Sequence, residues 1–165
     1  MNKIKFAAVD KTKVYKIPTK RVEDAGYDIY PSFKDDEFKI KAHQTRLIPT
    51  NIASALPYNY YFQVEERGST GSKGIKKSAG VIDSGYRGEI FIAITNCNDV
   101  DLYITKEDVS NYKFPDNRIC YPYSKAIAQL VLHEVPQLES EEISYEELMA
   151  IPSERGMGSR GSSGK

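Results

Sequence analysis

In the segment Gly80–Ile90, GVIDSGYRGEI, the carboxylate of Asp83 sits between an apolar run and a Ser84-Gly85 turn. An acid fixed at a strand end can hold and orient a water molecule. Tyr86, just beyond the turn, offers a flat apolar face beside it. That pair suits hydrolysis of a ligand carrying a flat ring or a sugar. The same letters also suit an ordinary strand–turn–strand hairpin with a capping aspartate.

The elements that must position this acid read as strands. Ile4, Phe6 and Ala8 alternate with lysine and alanine, and Phe38-Lys39-Ile40 is a second short run. Arg46 to Leu56 forms another, closed by Pro57, and Tyr60, Phe62 and Val64 alternate with Tyr61, Gln63 and Glu65. Ile90, Ile92 and Ile94 alternate within Glu89–Asn96, and Ala126–Val135 is the last clear strand. Short strands between Gly and Pro turns predict an all-β sandwich or jelly roll. Ser144 and Glu147 form a capping box that predicts one short helix over Leu148 and Met149. Residues 1–152 are expected to be a single domain. The polar stretch 98–123 reads as an excursion between strands, with a small hairpin of its own. Residues 153–165, rich in Gly and Ser, read as a C-terminal arm.

Composition narrows the function. With 23 basic and 23 acidic residues the chain has no net charge, which argues against a nucleic-acid binder held by bulk electrostatics. Two cysteines, Cys97 and Cys120, are too few for a disulfide framework and suit a reducing cytoplasm. The first residues, MNKIKFAAVDK, are too charged for a signal peptide, and no run approaches the ~18 apolar residues of a membrane span.

Four further segments accompany GVIDSGYRGEI. They are Ala25-Gly26-Tyr27-Asp28-Ile29, the stretch ERGSTGSKG from Glu66 to Gly74, AIAQL from Ala126 to Leu130, and RGMGSRGSSG from Arg155 to Gly164. Their order and rough spacing resemble the five motifs of the trimeric dUTPases, the deoxyuridine triphosphate pyrophosphatases. The resemblance covers residues 4–164. The long stretch before AIAQL resembles that of phage-encoded and some bacterial members.

The resemblance implies a jelly-roll subunit, a homotrimer with sites shared between subunits, and hydrolysis of dUTP to dUMP and pyrophosphate. Such an activity keeps uracil out of DNA and supplies dUMP for thymidylate synthesis. Asp83 would be the general base, directing water at the α-phosphorus. Tyr86 would pack against the deoxyribose and leave no room for a 2′-hydroxyl. Arg67, Gly68, Ser69, Thr70 and Gln129 would hold the phosphates. Gly80, Val81 and Ile82 would line the nucleoside side, where much uracil recognition is by backbone groups. Arg155, Arg160, Gly161 and Ser162 of the arm would close over the nucleotide. Mg²⁺ would be the cofactor, with Asp28 tied to it through water or serving as a turn-capping residue.

The chain departs from the family pattern at named positions. Gly68 follows Arg67 where a serine is usual, so Ser69 is expected to supply the hydroxyl. Arg160 stands where an aromatic normally stacks on uracil; its planar guanidinium can stack or bind phosphate. Tyr123-Ser124-Lys125-Ala126 stands where the family usually has a Gly-Asp-Arg lead. These departures leave two rivals: a non-catalytic nucleotide-binding or regulatory relative, with 98–123 as a protein-partner surface or lid, and a dCTP deaminase on the same fold. The deaminase needs a glutamate to activate water; Glu89 reads instead as structural or arginine-pairing.

Overall fold

In the computed structural model, residues 3–107 and 117–158 are described. Alternation sets the inside and outside of each strand. In β6 (Tyr60–Glu65), Phe62 and Val64 are buried while Tyr61, Gln63 and Glu65 face outward and are half-exposed. β6 sits between β12 (Ala128–Glu134) and β8 (Val81–Asp83), with β2 (Gly26–Ile29) on the far side of β12; neighbouring strands are antiparallel. Phe6 of β1 (Lys5–Ala8) stacks on Phe62 at 5.7 Å, and Tyr27 of β2 meets Phe62 edge-on at 5.9 Å. This aromatic group fixes β2 against β6, so the residues that follow each strand end up side by side.

Three smaller sheets complete the all-β fold. β1 pairs with β5 (Ile52–Ala55), and β4 (Thr45–Ile48) lies beside β9 (Ile92–Asn96), which pairs with β7 (Ile75–Lys77). β3 (Glu37–Ile40) lies beside β10 (Leu102–Thr105), which pairs in parallel with β11 (Ile119–Pro122). Ile40, Ile48, Ile52, Ile90, Ile92, Ile94, Leu102 and Ile104 fill the space between them. Each such side chain contributes about 1.5–3 kcal/mol when fully buried. Among the described residues, no helix is long and apolar enough to cross a membrane.

The structure corrects three expectations. The Arg46–Leu56 run is two strands, because Asn51 takes a left-handed backbone (φ 59°) and breaks it. The Glu89 carboxylate accepts the N–H groups of Thr50 (3.0 Å) and Asn51 (2.7 Å), which holds that break. GVIDSGYRGEI is not a hairpin: β8 pairs only with β6, and the chain after Asp83 crosses to another sheet, where Ile90 N–H donates to the Ile52 carbonyl. The Ser84-Gly85 turn itself forms, closed by Tyr86 N–H donating to the Asp83 carbonyl at 3.1 Å.

The 98–123 stretch is in part core rather than an excursion. Leu102, Ile104 and Tyr121 are buried, and its two strands are parallel rather than a hairpin. A partner surface is therefore ruled out for the buried side chains of β10 and β11; residues 108–116 lie outside the described residues. The expected helix is α2 (Tyr145–Ala150), where Ser144 Oγ accepts Glu147 N–H at 3.1 Å and Glu147 accepts Ser144 N–H at 2.8 Å.

Candidate active site

β6 ends at Glu65, and the chain turns through Arg67 into a single helical turn, α1 (Gly68–Gly71). Thr70 fixes that turn from beneath. Its hydroxyl donates to the Arg67 carbonyl at 2.9 Å and accepts Arg67 N–H at 3.0 Å. The N–H groups of Thr70 and Gly71 also donate to the Arg67 carbonyl. Those of Gly68 and Ser69 stand at the start of the turn, where no intrahelical acceptor exists.

The register of the sheet brings the other partners alongside. Gln129 of β12 lies opposite both Asp28 of β2 and Glu65 of β6. Arg67 Nε donates to Asp28 Oδ1 at 2.9 Å, and Gln129 Nε2 donates to the Glu66 carbonyl at 2.9 Å. One amide hydrogen of Gln129 remains for a ligand. Gly26 makes room for this arrangement: a Cβ there would stand 2.6 Å from Gln129 Oε1 and 2.9 Å from its Cβ.

Asp28, Arg67, Gly68, Ser69 and Gln129 line one open cleft of about 940 Å³. Ser69 Oγ is 3.4 Å from the Tyr121 hydroxyl, a long contact that leaves it able to turn toward the cleft. Cationic side chains and amide donors on this scale suit a polyphosphate. Among the described residues, no three His, Cys, Asp or Glu side chains gather as a metal cage. The two cleft aspartates, Asp24 and Asp28, each pair with an arginine. This donor set fits a Mg²⁺ that is held by substrate phosphates and keeps several waters.

Asp83 and Tyr86 lie apart from the cleft lining. Asp83 pairs in register with Tyr61, six residues before Arg67. The step from Tyr61 to Glu65 along β6 alone is roughly 13 Å at ~3.3 Å per residue, so Asp83 and Arg67 lie toward opposite ends of that strand. Asp83 is exposed and Tyr86 is 44% exposed. The Tyr86 hydroxyl donates to the Glu89 carbonyl at 2.9 Å, and its ring folds over Gly88, where a Cβ would lie 2.5 Å from the hydroxyl oxygen. Arg87 braces the same loop by donating to the carbonyls of Ser84 (2.6 Å) and Tyr86 (3.0 Å). Val81 is exposed, Ile82 packs against the core, and the Gly80 carbonyl accepts Val64 N–H at 2.7 Å.

One expected substrate contact is corrected. Thr70 is fully buried with its hydroxyl engaged on Arg67, so it shapes the arginine loop rather than meeting a ligand. Arg155 is exposed, donates to the Gly158 carbonyl at 2.8 Å and does not line this chain's cleft. Arg160, Gly161 and Ser162 lie outside the described residues. Lys20, Arg21 and Asp24 line the cleft without having been singled out in the sequence, and Lys125, named there only as a departure from the family pattern, lines it too. The charged run Lys20-Arg21-Val22-Glu23-Asp24 directly before AGYD, and a lysine directly before AIAQL, were their only signals.

Known proteins match this chain in sequence and in fold. The profile of the dUTPase family matches residues 12–109. A deoxyuridine 5′-triphosphate nucleotidohydrolase from Candida albicans is 35% identical over 173 aligned positions, covering 100% of this chain and 95% of that protein. One from Gloeobacter violaceus is 33% identical, covering 86% of this chain and 83% of that protein. The Staphylococcus bacteriophage 80alpha dUTPase, solved with dUpNHpp, shares the fold at a TM-score of 0.75 and 24% identity, with full coverage of both chains (100% and 100%). A mutant dUTPase from phage phi11 of S. aureus, described with a structural Mg(II) ion, aligns at a TM-score of 0.64 and 20% identity, covering 86% of this chain and 97% of that one. On its profile match and its end-to-end likeness to the Candida protein, the chain belongs to the dUTPase family.

Proposed function

We propose that the protein hydrolyses dUTP to dUMP and pyrophosphate at sites shared between copies of the chain. One observation carries the reading. The arginine cleft of a chain gathers phosphate donors, yet Asp83, the acid that would activate water, stands at the other end of β6. A cyclic trimer resolves this by setting Asp83 and Tyr86 of one copy against the cleft of the next.

In the reaction, Asp83 takes a proton from a water whose oxygen bonds to the α-phosphorus. The bond from that phosphorus to the bridging oxygen breaks, and pyrophosphate leaves with the electron pair. Such a base contributes about 10²–10⁴-fold. Arg67, the Gln129 amide and the N–H groups of Gly68 and Ser69 supply the larger electrostatic share. Mg²⁺, when bound with the phosphates, would supply charge neutralisation, and Asp28 would accept hydrogen bonds from its waters. Tyr86 walls the sugar on its 2′ side. The arm, with Arg155, Arg160, Gly161 and Ser162, closes over the nucleotide and excludes water. A cytoplasmic setting fits the exposed Cys97 thiol.

Glu89 weighs against the deaminase reading, since its carboxylate is engaged by Thr50 and Asn51 N–H groups. Pyrophosphate release from dUTP, dCTP, dTTP and UTP, with and without Mg²⁺, tests the proposal. Release from dUTP alone is expected, and only with the metal. Ammonia from dCTP would replace it with the deaminase reading, and nucleotide binding without turnover would replace it with the regulatory one.

A further inference from the structure

We infer that Lys125, on the turn before β12, is a pyrophosphate-gripping residue of the cleft; the inference rests on the cleft holding a nucleoside triphosphate. The argument is an inventory of positive charge. Arg67 is neutralised by Asp28 at 2.9 Å. Arg21 is neutralised by Asp24 through two bonds of 3.0 and 2.9 Å. Lys20 Nζ donates to the carbonyls of Arg21, Val22 and Asp24 at 3.2, 3.3 and 2.8 Å. An ammonium has three donors, so Lys20 has none to give.

Lys125 is different. It lines the same cleft, its side chain is exposed, and its ammonium meets no acceptor among the described residues. Its backbone is fixed, with N–H donating to the Pro122 carbonyl at 3.0 Å. Ala126 and Gln129, just after it, are part of the same wall. Among the described residues it is therefore the one lining cation that brings both a net charge and a full set of donors. A triphosphate needs that surplus, particularly because Gly68 brings no hydroxyl beside Arg67. The α-phosphorus must reach the mouth of the cleft to meet Asp83 of another copy. The phosphates left within reach of Lys125 are then those that depart as pyrophosphate.

Lys125→Gln and Lys125→Arg, made in the full chain, test this by inhibition and titration with pyrophosphate and with dUMP. Lys125→Gln is expected to weaken pyrophosphate about tenfold, the scale of one charge-assisted hydrogen bond. It should raise KM for dUTP similarly and leave dUMP affinity within about twofold; Lys125→Arg should restore most of the loss. Pyrophosphate affinity unchanged in Lys125→Gln would overturn the assignment. So would equal weakening of dUMP and pyrophosphate, or a loss that arginine does not rescue. Direct titration of pyrophosphate needs no turnover, so a chain inactive on dUTP would refute the reaction while still deciding the role of Lys125.

Discussion

The arginine cleft and the Asp83 turn are built on opposite principles. In the cleft, charges other than that of Lys125 are answered in advance: Arg67 by Asp28, Arg21 by Asp24, and Lys20 by three carbonyls. Thr70 and Gln129 brace the loop from below and behind. At the turn, Arg87 braces the backbone, but the side chains of Asp83 and Tyr86 stay exposed. On the proposed function, the difference separates a region whose donors are preset within one chain from a region that a neighbouring copy would complete. Preorganised donors stabilise developing charge without reorganising, whereas a lone acid gains its role only from what is placed opposite it.

Mixing variants breaks the comparison most sharply. Asp83→Asn alone should lower kcat by at least ~100-fold while leaving nucleotide affinity nearly intact. Arg67→Ala alone should also be inactive, through lost phosphate binding. Refolded together in equal amounts, the two should regain on the order of a quarter of wild-type activity, because some sites combine an intact acid with an intact arginine from another copy. Mixtures as dead as their components would place both groups in one chain's site.

A smaller effect is expected from Gly26→Ala, which acts on the cleft alone. The added methyl collides with the Gln129 side chain at its root as well as its tip. Such overpacking costs about 1–3 kcal/mol. We expect a lower melting temperature and a KM for dUTP raised severalfold, with kcat less affected; an unchanged KM would show that Gln129 does not hold phosphate.

The smallest effect is on pH. Lys39 Nζ, 2.6 Å from Asp101, and Ala42 N–H together hold that carboxyl below its ordinary value of 3.8. A depressed acid contributes stability that is full above its unfolded value and is lost as pH falls through the folded one. Melting temperature should therefore decline below about pH 4, and Asp101→Asn should flatten part of that decline. A variant whose acid limb matches wild type would remove Asp101 from the account.

Much of this was legible in the letters. The alternation in Tyr60–Glu65 gave β6 its inner face, and Ser144 with Glu147 marked the start of α2. The AGYD, ERGS and AIAQL segments marked the cleft because their residues are neighbours in register. Thr70 was misread because a hydroxyl in a Gly/Ser-rich turn looks the same whether it faces solvent or its own backbone. The 98–123 strands were missed because the polar residues between their short apolar runs masked any period, and because parallel pairing leaves no turn signature. Lys125 was passed over because its role depends on every other cation in the cleft being engaged, a property of the assembled wall.

The buried amide of Asn96 has a consequence for how the chain finds its register. Ile90, Ile92 and Ile94 repeat every second residue, so a two-residue slip of β9 against β4 and β7 would keep isoleucine facing the core. Hydrophobicity cannot tell the two alignments apart. Asn96 can: its Nδ2 reaches the carbonyls of Ile40, Lys41 and Val100, and its Oδ1 accepts Asn98 N–H at 3.1 Å. A slipped strand would leave that group of buried polar atoms unanswered, at about 1–3 kcal/mol for each. One fully bonded side chain thus removes a degeneracy that the greasy repeat creates, and makes a single threading of the barrel the lowest in free energy.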